Sequence, residues 1–183
     1  MKVLATEIPD ALIIEPTVFG DDRGFFFESF NQNTFNRLIG RNINFMQDNE
    51  SYSSKGVLRG LHYQTGKYAQ AKLVRVIKGK VLDIAVDIRK DSPIFGEHVS
   101  LELSENNKLQ LVIPRGVAHG FLFLSETAIF SYKCDAFHNK ESESGILYND
   151  KSLNIDWQIS SNKLIISQKD KQLPTFENLF KTK

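Results

Sequence analysis

Apolar and polar residues alternate with a period of two along much of this 183-residue chain. In the stretch VLDIAVDI, at positions 81–88, every second residue is Leu, Ile or Val, and residues 99–103 and 109–113 follow the same rule. Successive side chains of a strand point to opposite faces, so this pattern predicts strands with one face against a core. Turn signals such as PRG at 114–116 separate the runs, which favours an antiparallel sandwich or barrel.

Helical signals are few. Residues 31–39 are expected to form a short helix with Asn31 or Asn33 as its cap. The more polar tail from Ser160 onward is expected to wrap the barrel or to close over a pocket. A chain of this length can build one sizeable core, so we expect a single domain over residues 1–183.

The charge balance and the single cysteine restrict the partners and the compartment. The net charge is +1 with no basic block, so neither nucleic acid nor a membrane surface is an expected partner. No apolar run is long enough to span a bilayer, and the first residues lack the apolar core of a signal peptide. Cys134, which has no cysteine to pair with, is expected to be a small core residue. Together these features favour a cytoplasmic protein.

The stretch VLRGLHYQ, at positions 57–64, carries polar residues that strand packing alone does not require. Arg59 and His62 are an odd number of residues apart, so a regular strand would turn them to opposite faces. Gly60 lies between the two, where a β-bulge could turn one side chain to the other face. Each residue alone has an ordinary explanation, as a rim arginine or as a hydrogen-bonded core histidine.

Three further polar residues interrupt apolar segments. Lys72 opens the run before Leu73, His119 follows the PRG turn, and Tyr132 follows a strand-like segment. Separately they read as an edge lysine, a core histidine and a core aromatic residue with its hydroxyl outside. Together with Arg59 and His62 they favour one shared pocket inside a small barrel.

The stretch PRGVAH, at positions 114–119, has the P-x-G-x-x-H form of the second cupin motif. Cupins are jelly-roll barrels, so we expect an all-β, cupin-type jelly-roll barrel of antiparallel strands with a few short helices. A metal site would need a histidine two residues after His62, but Gln64 stands there, and the ammonium of Lys72 would repel a cation. No metal is therefore expected, which disfavours a metal-dependent cupin oxygenase. The chain also lacks the context of a dinucleotide-binding loop, so no cofactor is expected.

Five stretches give the chain a resemblance to a known family: DDRGFFFESF, VLRGLHYQ, KLVRVIKGKVLDIAVDIRKDSPIFG, IPRGVAHGF and GILYNDKSLNIDW. The chain resembles the dTDP-4-dehydrorhamnose 3,5-epimerase family nearly end to end. The resemblance implies a cofactor-independent homodimer that acts in dTDP-L-rhamnose synthesis. It also implies a substrate, dTDP-4-dehydro-6-deoxy-D-glucose, that is inverted at C3 and C5.

The resemblance also assigns roles to individual residues. His62 matches the general base, Asp170 its carboxylate partner and Tyr132 the proton donor. The positions that line the nucleotide-sugar site are Arg23, Glu28, Gln47, Asn49, Arg59, Lys72, His119, Glu143 and Lys169. Asp83 is the candidate partner of His119. The sequence departs from the family at Phe137-His138, where a Tyr-Tyr or Phe-Tyr pair is expected, and His138 is taken as a substrate-binding residue.

These residue types suit the implied chemistry. The protons at C3 and C5 are acidified by the same C4 ketone, and inversion requires a base on one face and an acid on the other. Imidazole, with a reference pKa of about 6.5, suits the base, and phenol, with a reference pKa of about 10, stays protonated until it donates. The ammonium of Lys72 can stabilise the enolate oxygen, and the guanidinium groups of Arg59 and Arg23 suit a diphosphate.

Two related functions remain open at this point. One is an epimerase that inverts only C3, or only C5, of a related nucleotide 4-ketosugar. The other is a non-catalytic cupin that binds sugar nucleotides. The retained His62, Asp170, Lys72 and Tyr132 disfavour a binding protein, because binding alone needs neither a base nor an opposed acid.

Overall fold

A computed structural model of the protein describes residues 1–180, and two β-sheets form its framework. In chain order the strands are β1 (Lys2–Ala5), β2 (Leu12–Glu15), β3 (Phe19–Asp21), β4 (Gly24–Phe26), β5 (Gln47–Ser54), β6 (Val57–Gln64), β7 (Lys72–Lys78), β8 (Lys80–Asp87), β9 (His98–Ser104), β10 (Gln110–Ile113), β11 (Val117–Phe123), β12 (Thr127–Cys134), β13 (Glu143–Gly145) and β14 (Ile165–Ile166). The α-helices are α1 (Gln32–Ile39), α2 (Gln168–Lys171) and α3 (Phe176–Phe180). The expected single domain stays a prediction, and its last three residues, 181–183, lie outside the described part of the chain.

The two sheets have the interleaved strand order of a jelly roll. The first sheet runs β1-β2-β10-β7-β12-β5, and the second runs β13-β6-β11-β8-β9 with β14 beside β6. All of these pairs are antiparallel except β14 with β6. The predicted all-β, cupin-type jelly-roll barrel with a few short helices is therefore confirmed.

Strand β8 departs in part from the prediction made from its alternating apolar and polar residues. Its strand conformation was predicted, but both of its faces are buried rather than one. Asp83 and Asp87, which alternate with the apolar residues, have no exposed surface because they point into the barrel. The opposite face, which includes Leu82 and Ile84, packs in a second apolar cluster with Trp157. The C-terminal segment therefore covers what would otherwise be a solvent-facing side of the sheet.

Helix α1 begins at the predicted place. Asn31 is its N-cap, and the Oδ1 atom of Asn31 accepts a hydrogen bond from the backbone N–H of Thr34 over 3.1 Å. Gly40 ends the helix in the left-handed conformation, which glycine adopts without a Cβ clash. Phe35 turns inward and packs against Phe30 and Phe45, so the helix covers part of the first sheet.

The tail after Ser160 wraps the barrel, as predicted. Ile165 and Ile166 form β14 alongside β6, and helix α2 follows at once. Ser167 caps α2 through a 3.0 Å hydrogen bond from the N–H of Asp170 to its Oγ. This cap fixes Asp170 against β6, where it is buried.

The β3–β4 hairpin forms a small sheet of its own. Phe19, Phe25 and Phe26 on this hairpin are each at least 60 % exposed, which is unusual for three aromatic residues close together. Strand β5 lies at the edge of the first sheet, so one side of its backbone is unpaired within residues 1–180. No helix in this part of the chain has the length and apolar character needed to cross a membrane.

Candidate active site

A β-bulge brings the unexplained polar residues of β6 to the same side. His62 pairs with His119, whereas Arg59 pairs with Phe121, so two residues of β6 lie opposite a single residue of β11. The extra residue cancels the odd spacing between Arg59 and His62. Both residues line one cavity, and the predicted bulge is confirmed.

Gly60 makes the bulge possible. Its φ of 129° lies in the region that favours glycine, and a Cβ atom at this position would collide with the backbone of Gly120. The two strands can therefore approach closely only because neither residue carries a side chain. The local sequence R-G-L-H thus sets the direction in which the catalytic histidine candidate points.

The cavity lies inside the barrel and gathers most of the predicted site residues. Its lining consists of Gln47, Asn49, Arg59, His62, Tyr63, Gln64, Gln70, Lys72, His119, Phe121, Tyr132, Cys134, His138 and Glu143. A neighbouring opening, which shares His62 and Tyr132 with this cavity, is also lined by Ser167 and Asp170. Cys134 is buried, as predicted, although it also borders the cavity.

His62 and Asp170 form a hydrogen-bonded pair. The His62 Nε2 atom lies 2.7 Å from Asp170 Oδ1, and the N–H of Gly60 donates to Asp170 Oδ2 over 3.4 Å. Burial raises the pKa of Asp170, but the hydrogen bond and charge of His62 and the donors from Gly60 and Ser167 outweigh it and lower the pKa. The carboxylate therefore stays ionised, accepts the Nε2 proton, and leaves Nδ1 of His62 without a partner among residues 1–180.

A second histidine–carboxylate pair lies deeper in the barrel. His119 Nε2 is 2.9 Å from Asp83 Oδ2, and both side chains are buried, so the expected pairing of the two residues is confirmed. Burial lowers the pKa of His119 most, Asp83 opposes this, and Lys72 and His62 lower it further. His119 is therefore neutral at physiological pH and suits hydrogen bonding better than charge stabilisation.

Lys72 and Tyr132 complete the group of titratable side chains. Burial is the main cause that lowers the pKa of Lys72, while Cys134, Asp83 and Glu143 raise it. Asp83 pairs with His119 and Glu143 pairs with Lys169, so within the described residues the Lys72 ammonium makes no ion pair and can meet a ligand oxygen. Burial raises the pKa of Tyr132, which keeps its hydroxyl protonated.

The remaining cavity residues lie around these groups. Arg59 donates from Nη2 to Ser53 Oγ over 3.1 Å. Lys169, at the rim, binds Glu143 with its Nζ atom 2.6 Å from Oε1. The hydrogen bond from Lys169 is the largest of the effects that lower the pKa of Glu143. Nε2 of His138 lies 3.7 Å from Oε2 of the same carboxylate, so Glu143 faces two basic side chains.

Besides Lys169, which contacts the cavity residue Glu143, two predicted site residues lie outside the cavity of this chain. Arg23 lies in the turn of the β3–β4 hairpin, where it is almost fully exposed and hydrogen-bonded to Asp21. Glu28 is also exposed and accepts a hydrogen bond from Asn31 over 3.1 Å. The hairpin pairs with no other strand of residues 1–180, and neither side chain is among those that line the cavity with His62.

Sequence reasoning missed several residues that line the cavity. The sequence indicated Gln64 only as a position where a metal ligand is missing, and it did not indicate Tyr63, Gln70 or Phe121 as site residues. The position of Gln64 could have indicated a site residue, because a buried strand seldom accommodates an amide without a partner. The position of Gln70 could not, since a polar residue between two structural elements is ordinary.

Within residues 1–180 no three His, Cys, Asp or Glu side chains are grouped as a metal site requires.

The fold and the site define a class: a jelly-roll barrel with an acid–base site in its interior. The family model described as dTDP-4-dehydrorhamnose 3,5-epimerase matches residues 5–178. The chain belongs to this family.

Individual relatives agree with the family model. The chain is 58 % identical over 170 residues to a dTDP-4-dehydrorhamnose 3,5-epimerase of Shigella flexneri, covering 93 % of each chain. A crystal structure of a dTDP-4-dehydrorhamnose 3,5-epimerase from Elizabethkingia anophelis superposes with a TM-score of 0.93 at 55 % identity, over 97 % of each chain. A Legionella pneumophila dTDP-6-deoxy-D-glucose-3,5-epimerase, solved in complex with dTDP-4-keto-L-rhamnose, gives 0.93 at 47 % identity, over 98 % of this chain and 94 % of the other.

Proposed function

We propose that this chain is a dTDP-4-dehydrorhamnose 3,5-epimerase, an isomerase that inverts C3 and C5 of dTDP-4-dehydro-6-deoxy-D-glucose. The observation that carries this function is the meeting of the His62–Asp170 pair with Tyr132 in one cavity. A base paired with a carboxylate and a protonated phenol are the two groups that an inversion through an enolate needs. Membership of the family supports the same activity.

The His62 imidazole acts as the general base. Asp170 accepts the Nε2 proton, so Nδ1 is the nitrogen that can take a proton from the sugar. Once His62 has taken that proton, the ionised Asp170 stabilises the resulting imidazolium. The low pKa of Asp170 supports this role, because a protonated carboxyl group would not favour the positive charge.

Lys72 stabilises the enolate that forms when the proton leaves. The negative charge of this intermediate accumulates on O4 of the sugar. The Lys72 ammonium is well suited to bind it, because its acidic neighbours Asp83 and Glu143 pair with other residues. The same Lys72 can serve both inversions, because C3 and C5 flank the same C4 carbonyl.

Tyr132 delivers a proton on the opposite face. Its hydroxyl stays protonated because burial raises its pKa, and it lies on β12, whereas His62 lies on β6 of the other sheet. An acid and a base carried by facing sheets are arranged as an inversion requires. Arg59, beside Tyr132, is a candidate ligand of the diphosphate because a guanidinium binds two oxygens at once.

We also propose that the protein is a homodimer in which the β3–β4 hairpin of one subunit reaches the cavity of the other. Three exposed phenylalanines on the hairpin and an unpaired edge on β5 support this arrangement. It would bring Arg23 and Glu28, which lie outside the cavity of their own chain, to the site of the partner.

The activity is tested by incubating purified protein with dTDP-4-dehydro-6-deoxy-D-glucose and EDTA, without nicotinamide, and following the sugar by proton NMR. We expect conversion to dTDP-4-keto-L-rhamnose, and conversion about 10²–10⁴-fold slower by a His62→Asn control. Absence of conversion by the folded wild-type protein would overturn the proposed function.

A further inference from the structure

Three glutamines around the cavity bind the backbone of one loop. This rim loop, residues 135–139, connects β12 to the 3₁₀ turn Lys140–Ser142 and carries His138 into the cavity lining. Strand pairing satisfies none of the backbone groups at positions 136, 138 and 139, so side chains can bind them.

The glutamines come from three different parts of the fold. Gln47 begins β5, and its Oε1 accepts the N–H of His138 over 3.1 Å. Gln64 ends β6, and its Oε1 accepts the N–H of Asn139 over 3.0 Å. Gln70 precedes β7, and its Nε2 donates to the carbonyl oxygen of Ala136 over 2.7 Å.

We infer that Gln47, Gln64 and Gln70 are positioning residues that hold the rim loop ready for the nucleotide sugar before it binds. A loop without regular structure loses conformational entropy when a ligand orders it, and that loss weakens binding. Hydrogen bonds already made in the free protein remove part of this cost. The inference rests on the proposed function for the identity of the ligand.

The other bonds of the loop agree with this role. At its start, Asp135 accepts the N–H of Ala71 over 2.7 Å and pairs with Arg115. The side chain of Asn139, at its end, accepts the N–H of Ser142 over 3.0 Å. The backbone is therefore anchored along its length, whereas Phe137 is 64 % exposed and free to meet a ligand.

Amide chemistry explains why these positions carry glutamine rather than glutamate. The side chains of Gln64 and Gln70 face a cavity that receives an anionic diphosphate under the proposed function. At Gln64 a carboxylate would accept the same N–H group but would repel that anion. At Gln70 a carboxylate could not donate to the carbonyl oxygen of Ala136. Gln47 uses its second group as well, since Nε2 donates to Asn49 Oδ1 over 2.9 Å. Both ends of its amide are thus engaged with the protein.

The inference is tested with Gln64→Met and Gln70→Met, which keep the length of the side chain and remove its hydrogen bond. Gln32→Met is the matched control, because Gln32 also binds a backbone carbonyl, that of Ile43 over 2.6 Å, but does not line the cavity. Three quantities are measured for each protein: the Kd of dTDP by calorimetry, KM and kcat for the sugar nucleotide, and the rate of chymotrypsin cleavage after Phe137.

We expect Gln64→Met and Gln70→Met to raise Kd and KM about three- to tenfold, with kcat within about twofold of wild type. His62 and Tyr132 are held by the pairing of β6 with β11 and of β12 with β5 and β7, which neither substitution removes, so kcat is expected to stay near its wild-type value. Cleavage after Phe137 should become faster, and Gln32→Met should change none of these quantities.

Unchanged Kd, KM and cleavage in both loop variants would overturn the inference, as would a fall in kcat with KM unchanged. If Gln64→Met misfolds because Gln64 is buried, Gln70→Met still tests the inference. Failure of the proposed function would give a different result, because the wild-type protein would then not epimerise the sugar. The rates of cleavage after Phe137 would still show whether the glutamines hold the loop.

Discussion

The Oδ1 atom of Asp170 lies 2.7 Å from the Nε2 atom of His62, although 108 positions separate the two residues in the chain. The histidine belongs to a central strand of the barrel, and the aspartate belongs to a four-residue helix near the C-terminus. The base is therefore complete only when the C-terminal segment has docked against β6. A change that weakens the docking of this segment is therefore expected to lower catalytic activity as well.

The first prediction concerns His62 and Asp170 as one unit. His62→Asn and Asp170→Asn should each lower kcat, and loss of the general base should cost about 10²–10⁴-fold. The double variant should be little worse than His62→Asn, because Asp170 acts only through the imidazole. Steady-state kinetics of the three variants measure this. Losses that multiply in the double variant would show that the two residues act separately.

The second prediction concerns Tyr132. Tyr132→Phe should lower the rate of epimer formation by about 10²–10⁴-fold, because the proton for the opposite face is lost. Exchange of the sugar protons with solvent should decrease much less, since His62 still removes a proton and can return one to the same face. NMR in D2O separates exchange from inversion.

Tyr63→Phe is the matched control for Tyr132. Tyr63 lines the same cavity, but its hydroxyl is engaged by Ser144 over 3.1 Å. Its loss should leave kcat within about threefold of wild type, the range expected when one neutral hydrogen bond is removed. Equal losses of exchange and inversion in Tyr132→Phe would contradict its assignment as the acid.

The third prediction tests the proposed dimer. Arg23→Ala and His62→Asn proteins should each be nearly inactive, yet mixing them under conditions of subunit exchange should restore activity. A mixed dimer would contain one site with both native residues, supplied by different subunits. Random exchange should give about one quarter of the wild-type activity, because half of the dimers are mixed and each has one intact site. No recovery, despite demonstrated exchange, would place Arg23 and His62 in the same subunit's site or exclude Arg23 from it.

The fourth prediction concerns His138. Imidazole presents a smaller face to a stacked base than phenol does, and full loss of such stacking costs about 1–3 kcal/mol. His138→Tyr should therefore lower KM by about two- to fivefold and leave kcat near its wild-type value. Measurement of both constants for the dTDP-sugar checks this. A changed kcat with constant KM would instead implicate His138 in proton transfer.

Local sequence patterns predicted the parts of the structure that depend on interactions between residues close together in the chain. Alternation identified the strands, the side chain of Asn31 marked the start of α1, and Gly60 between two polar residues indicated the bulge. These features depend on neighbours within a few positions. The roles of His62 and Asp170 as a pair came from family resemblance, because no local pattern relates residues so far apart.

Features that depend on distant segments were not predicted. Burial of both faces of β8 requires the C-terminal segment around Trp157, which alternation within the strand does not reveal. The position of Arg23 outside the cavity depends on how a hairpin associates, and residue type alone does not determine that. The hydrogen bonds of Gln64 and Gln70 could not be predicted either, because an amide shows no preference for one distant loop over another.

The central claim is that one pocket inverts both carbons by proton removal and return, and NMR of the reaction in D2O tests it most directly. Wild-type protein with EDTA and no nicotinamide should place one solvent deuterium at C3 and one at C5 of the product. His62→Asn should incorporate deuterium about 10²–10⁴-fold more slowly than wild type, and buffer alone controls for spontaneous exchange beside the ketone. Deuterium at C3 alone, or inversion of both carbons without any solvent deuterium, would contradict the account.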